Sequence, residues 1–120
     1  MKSAAALSIL IAGYATPGFS DEPQIESVRA TYSGDAWNFA VTLSHPDTGW
    51  DHYADGWRIE TLDGTVLGFR KLLHPHVDEQ PFTRSLNRVE IPMELSDVHV
   101  RARDNLDGWA SGTFAVELKR

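Results

Sequence analysis

Between residues 37 and 43 every second side chain is large and apolar: Trp37, Phe39, Val41 and Leu43, separated by Asn38, Ala40 and Thr42. A period of two sustained over this length predicts a β-strand with one buried face. The same rhythm returns at Val28, Ala30 and Tyr32, and at Val89, Ile91 and Met93 within a segment running from Leu86 to Met93. It returns again at Val98, Val100 and Ala102, and at Phe114, Val116 and Leu118. Pro92 suggests that the segment before it is an edge strand or a strand end. No stretch carries a convincing helical period.

Residues 56–76 predict a hairpin, with strands over 56–62 and 65–72 and a tight turn at Asp63-Gly64. A two-residue turn would set Trp57 opposite Arg70 and Ile59 opposite Gly68. A three-residue loop, Leu62-Asp63-Gly64 with Gly64 at positive φ, sets Trp57 opposite Phe69 and Ile59 opposite Leu67. The second register gathers the large apolar side chains on one face, which favours it.

The first twenty residues read differently. Met1-Lys2, the apolar run from Ala4 to Ala12 and Pro17-Gly18-Phe19-Ser20 have the layout of a secretory leader, with cleavage after Ser20 or after Ala15. The apolar run is shorter than the roughly 20 residues a membrane span needs, so 1–20 is expected to be a signal peptide and 21–120 a single domain in the periplasm or outside the cell. The chain has no cysteine, which removes thiolate catalysis, thiolate metal sites and disulfides. Its net charge is −6, one unit more negative once Lys2 is removed. Such a surface repels nucleic acid and anionic membrane, and favours a cation or a basic partner.

Seven short strands with turn-rich connections predict an all-β fold, an antiparallel sandwich, with a barrel as the alternative. The strand pattern and the late stretch VHVRARDNLDGW resemble fibronectin type III and related immunoglobulin-like modules. That resemblance implies a seven-stranded antiparallel sandwich over residues 24–118, in the order A, B, C, C′, E, F, G. In that order the loops 45–55, 73–85 and 104–109 meet at one pole. They carry His45, Asp47, Asp51, His52, Asp55, His74, His76, Asp104 and Asp107, with Trp50, Tyr53, Phe82 and Trp109 among them. His99 falls mid-strand on the outward face and is expected to be solvated.

Several chemistries fit that pole. His74 and His76 project to one side of an extended segment and, with His52 or His45 and an aspartate such as Asp51 or Asp55, would hold copper or zinc. The aspartates Asp47, Asp51, Asp55, Asp104 and Asp107 would suit calcium, without the EF-hand spacing. Trp50, Tyr53, Phe82 and Trp109, in predicted loops, are of the type that anchors protein or ligand recognition, whereas Trp37 and Trp57 are expected in the core. No nucleophile elbow, phosphate loop, zinc-protease helix or dinucleotide fingerprint occurs, so a binding or accessory module is expected rather than an enzyme. Its partner would be another periplasmic or extracellular protein.

SHPDTG at 44–49 and LHPHVDEQPF at 73–82 also resemble pieces of the immunoglobulin-like Z subunit of the periplasmic thiosulphate-oxidising carrier complex. That resemblance implies a non-catalytic partner subunit, with 44–49 and 73–82 structural or at its interface.

Overall fold

Trp37, Phe39, Val41 and Leu43 are all buried, while Asn38, Ala40, Thr42 and Ser44 lie between them at intermediate exposure. The computed structural model that shows this describes residues 21–120; the expected leader, 1–20, lies outside the described residues. Among these there are eight strands: β1 (Gln24–Tyr32), β2 (Trp37–Ser44), β3 (Ala54–Glu60), β4 (Val66–Lys71), β5 (Phe82–Val89), β6 (Asp97–Asp104), β7 (Gly108–Trp109) and β8 (Phe114–Glu117). All pairings are antiparallel. One sheet has the order β1-β2-β5; the other runs β4-β3-β6, with β7 and β8 both on the far side of β6. β7 pairs with Arg103 and Asp104, and β8 with residues 97–100. The expected seventh strand is thus one edge interrupted at 110–113. The two sheets close on a shared core in which Trp37, Phe39 and Leu43 join Trp57, Ile59, Val98 and Val100.

Three expectations about strands need correction. Trp57 pairs with Arg70 and Ile59 with Gly68, with a bulge before Glu60↔Val66. The apolar-face argument chose the other register because it counted Phe69 as core. Phe69 is instead opposite Arg58 on the outer face, its ring against Trp109. Gly64 does take a positive φ, 92°.

The fifth strand begins at Phe82, inside what the sequence suggests is a loop over 73–85, and ends at Val89. A bulge between the Phe39↔Leu86 and Trp37↔Val89 pairs, with Arg88 at φ 62°, shifts the phase of alternation. Phe82 and Leu86 therefore face inward before the bulge and Val89 after it. Met93, expected on that face, is exposed.

Candidate functional site

Strand direction brings three connections to one end of the sandwich. β2 ends beside the start of β5, since Leu43 pairs with Phe82, and β6 ends beside the start of β3, since Asp104 pairs with Ala54. Connections 45–53, 72–81 and 105–107 meet there and are tied by side chains. His45 N–H donates to Gln80 Oε1 (3.0 Å), and Gln80 Nε2 donates to the His76 carbonyl (2.8 Å). Tyr53 N–H donates to Asn105 Oδ1 (2.8 Å), and Asn105 Nδ2 to the Trp50 carbonyl (3.1 Å). The convergence expected from strand order is present.

Two buried aspartates organise this end. Asp47 follows β2 by three residues. Its Oδ1 accepts from Ala54 N–H (3.0 Å) and lies 2.6 Å from His45 Nδ1, and its Oδ2 accepts from His76 N–H (2.8 Å). Asp104 ends β6, and its Oδ1 caps the next turn by accepting from Leu106 N–H (2.9 Å) and Asp107 N–H (2.7 Å). The same Oδ1 is 3.5 Å from His52 Nε2, and Asp104 Oδ2 is 4.0 Å from His45 Nε2. His52 is set by a tight turn in which Thr48 N–H donates to its carbonyl and its own N–H donates to the Gly49 carbonyl. Gly49, at φ 144°, takes a backbone conformation that a side chain would oppose.

His45, His52 and Asp104 therefore converge, with one potential ligand atom of each within 4.8 Å of the others. The two rings meet edge to face with centroids 4.8 Å apart. The side chains of His45 and Asp104 are at most 1% exposed and that of His52 is 15% exposed. His45 Nε2, His52 Nε2 and Asp104 Oδ2 are buried and make no hydrogen bond among the described residues. Buried polar atoms are ordinarily paired. With its Nδ1 proton given to Asp47, a neutral His45 turns an unshared electron pair toward a carboxylate oxygen, an arrangement that a cation between them stabilises.

The expected ligands His74 and His76 are neighbours, with ring centroids 4.6 Å apart, but His76 Nε2 is engaged, and its Nδ1 is buried with no hydrogen bond among the described residues. Arg84 Nη2 lies 2.7 Å from His76 Nε2, and arginine can only donate, so that ring's electron pair is occupied. His76 also stacks flat on Phe82, with centroids 3.8 Å apart. Burial, and then the Arg84 and His74 charges, hold its pKa below the usual histidine value. His74 is exposed, with Nδ1 near the Pro75 carbonyl.

The acidic set expected for calcium is engaged by other partners or exposed: Asp55 accepts from Arg103 Nε (2.8 Å), Asp47 holds His45, and Asp51 and Asp107 are exposed. Of the expected recognition residues, Phe82 is a core residue. Trp109 lies in β7, half-buried, with the Arg58 guanidinium 3.9 Å from its ring centroid. Trp50 is 66% exposed and meets Tyr53 edge to face. Asn105, Gln80 and Arg84 carry the geometry of this end without any motif in the sequence to mark them.

No family model matches the chain, and no solved structure matches it. The chain is 45% identical over 86 residues to a protein of Halomicrobium mukohataei described as "Putative lipoprotein". That alignment covers 72% of this chain and 42% of the relative. The chain thus spans less than half the length of the relative it matches. Among the described residues no helix is long and apolar enough to cross a membrane.

Proposed function

We propose that this chain is an exported β-sandwich module that binds one zinc(II) or copper(II) ion through His45 Nε2, His52 Nε2 and Asp104. The observation that carries the reading is the convergence of His45, His52 and Asp104 at one pole, each with a buried side-chain atom that makes no hydrogen bond among the described residues. Bonds of about 2.0–2.1 Å at tetrahedral angles set ligand atoms about 3.4 Å apart. His52 Nε2 lies 3.5 Å from Asp104 Oδ1 and His45 Nε2 lies 4.0 Å from Asp104 Oδ2; with one ligand atom of each residue within 4.8 Å of the others, the group must draw together on the ion to reach that spacing. Two imidazoles and one carboxylate suit zinc or copper, whereas calcium asks for six or more oxygens. The strand order, three strands against a group led by β4-β3-β6, supports a fibronectin type III-like module. The leader-like first twenty residues and the lipoprotein name of the Halomicrobium relative support export. With no cysteine, thioether or thioester lipidation has no attachment point within these 120 residues.

Titrating the purified chain with zinc(II) or copper(II), by calorimetry and thermal melting, tests the proposal. The expected result is one equivalent bound and a raised melting temperature. His52→Ala is expected to abolish both, and His74→Ala to leave them intact. No binding, or binding that follows His74 instead, would remove the reading.

A second reading rests on a separate observation. Trp50, Leu73, Val77 and Leu106, four exposed large apolar side chains, sit on the three connections of this same pole. They support an accessory role in which the pole docks on another exported protein and the chain itself performs no catalysis. Trp50→Ser with Leu106→Ser would weaken capture of such a partner without changing metal affinity.

A further inference from the structure

We infer that Asp47 is the positioning residue of this site: it keeps the His45 proton on Nδ1 so that Nε2 faces Asp104, and through the His76 amide it couples the site to the 72–81 connection. The inference rests on the metal reading above and concerns a residue that is not itself a ligand.

The geometry is specific. Asp47 is 6% exposed and its two carboxylate oxygens serve different masters. Oδ1 lies 2.6 Å from His45 Nδ1 and takes the Ala54 amide; Oδ2 takes the His76 amide at 2.8 Å. Three donors from three segments thus fix a side chain that has little freedom left. A carboxylate accepting from the distal nitrogen of a ligating imidazole fixes its tautomer and raises its basicity, and losing it typically costs 10–100-fold in affinity. Asp104 Oδ2 faces the other ring nitrogen of His45, at 4.0 Å. The ring is thereby held between a proton-accepting carboxylate on one side and the proposed ion on the other.

The coupling follows from the second oxygen. His76 is held by its amide to Asp47 Oδ2 and by its ring to Phe82 and Arg84, so Asp47 is one of the groups that tie the 72–81 connection down. An ion drawing His45 toward Asp104 fixes Asp47 more firmly, and with it the His76 amide. Leu73 and Val77, exposed on that same connection, are the outward features whose order would change.

Two measurements test this on the whole chain. Long-range proton–nitrogen correlation spectra of the unsubstituted protein report the His45 tautomer directly. The Nδ1-protonated form is expected, and an Nε2-protonated ring would overturn the inference even if no variant folds. Zinc titration of Asp47→Asn, followed by calorimetry and by amide exchange, is the second. Asparagine keeps one acceptor oxygen but turns an amino group toward the His76 amide. Affinity is expected to fall 10–100-fold, and the zinc-induced slowing of His76 amide exchange expected in the parent to disappear. Unchanged affinity with the parent still binding zinc would overturn the positioning role while leaving the metal reading in place. Zinc binding by the parent with no effect on His76 exchange would overturn the coupling. If the parent binds neither zinc nor copper, the metal reading itself falls and this inference with it.

Discussion

Arg84 sits on β5 and donates to His76 Nε2, and that one contact separates two histidine pairs that look alike in the sequence. His74-Pro75-His76 has the better spacing for a shared ion, whereas His45 and His52 are seven positions apart with no motif between them. Spacing reports which side of an extended segment a ring leaves from. It does not report which ring nitrogen a neighbouring strand has already engaged. His76 has its pKa held below the usual 6.5 by burial first, and by Arg84 and His74 after it. Replacing Arg84 by Met removes the second cause, so the His76 pKa is expected to rise toward the ordinary value in an NMR titration. The sign for stability follows from proton counting. In the folded parent the ring binds its proton less readily than in the unfolded chain, so its contribution is fully present above about pH 6.5. It is lost as pH falls through the lower folded value. Urea midpoints of the parent should therefore drop below pH 6.5, and Arg84→Met should blunt the part of that drop due to His76.

β3 and β4 show why the alternation of the chain predicted the strands well and one register badly. Trp57 and Ile59 went to the core as their periodicity says. Phe69 did not, because Gly56 leaves a gap in the outer face that its ring fills. A Cβ on Gly56 would lie 2.9 Å from Phe69 Cε1 and 3.3 Å from the Arg70 carbonyl oxygen. The ring meets Trp109 edge to face at 5.9 Å, and the Arg58 guanidinium lies over the Trp109 ring, 3.9 Å from its centroid. Arg58 and Arg101 both bond Glu60, at 2.7 and 3.0 Å, so the outer face is an aromatic and ionic layer that hydropathy alone reads as solvent. Gly56→Val should cost about 1–3 kcal/mol through overpacking, read as a lower urea midpoint. Glu60→Gln tests the ionic half. Burial pushes the Glu60 carboxyl pKa up, but the Arg101 and Arg58 hydrogen bonds outweigh it and the net position is below the ordinary 4.5. Its stabilisation is thus present above the unfolded value and lost as pH falls through the lower folded one. Glu60→Gln should cost roughly 2 kcal/mol at pH 7, less than a fully buried pair because both guanidiniums are partly exposed. The difference from the parent should vanish in acid.

At the scale of the whole molecule, the direction of each strand is enough to bring the three connections together, and that part of the site is legible in the sequence. What sequence could not supply was the choice of donors, which depends on two aspartates burying themselves where β2 and β6 end. Those positions give the proposed ion a structural consequence. His45 follows β2 of the three-stranded sheet, and Asp104 ends β6 of the other sheet. An ion held by both crosslinks the sheets at one pole in a chain that has no cysteine for a disulfide. A ligand that binds only the folded state stabilises it by about 2.7 kcal/mol at 100 times its dissociation constant. With a urea slope of about 1–2 kcal/mol/M for a domain of this size, zinc should raise the unfolding midpoint by roughly 1.4–2.7 M without changing the slope. EDTA should reverse the gain, and His52→Ala should show none. A clip confined to the loops would behave differently. Its ion would escape by local opening of 45–53 while the sheets stayed paired, so zinc would slow amide exchange only there and at 105–107. Core amides such as those of Val41 and Val100 would then exchange at the same rate with and without zinc, and the crosslinking role would be lost even though the ion binds.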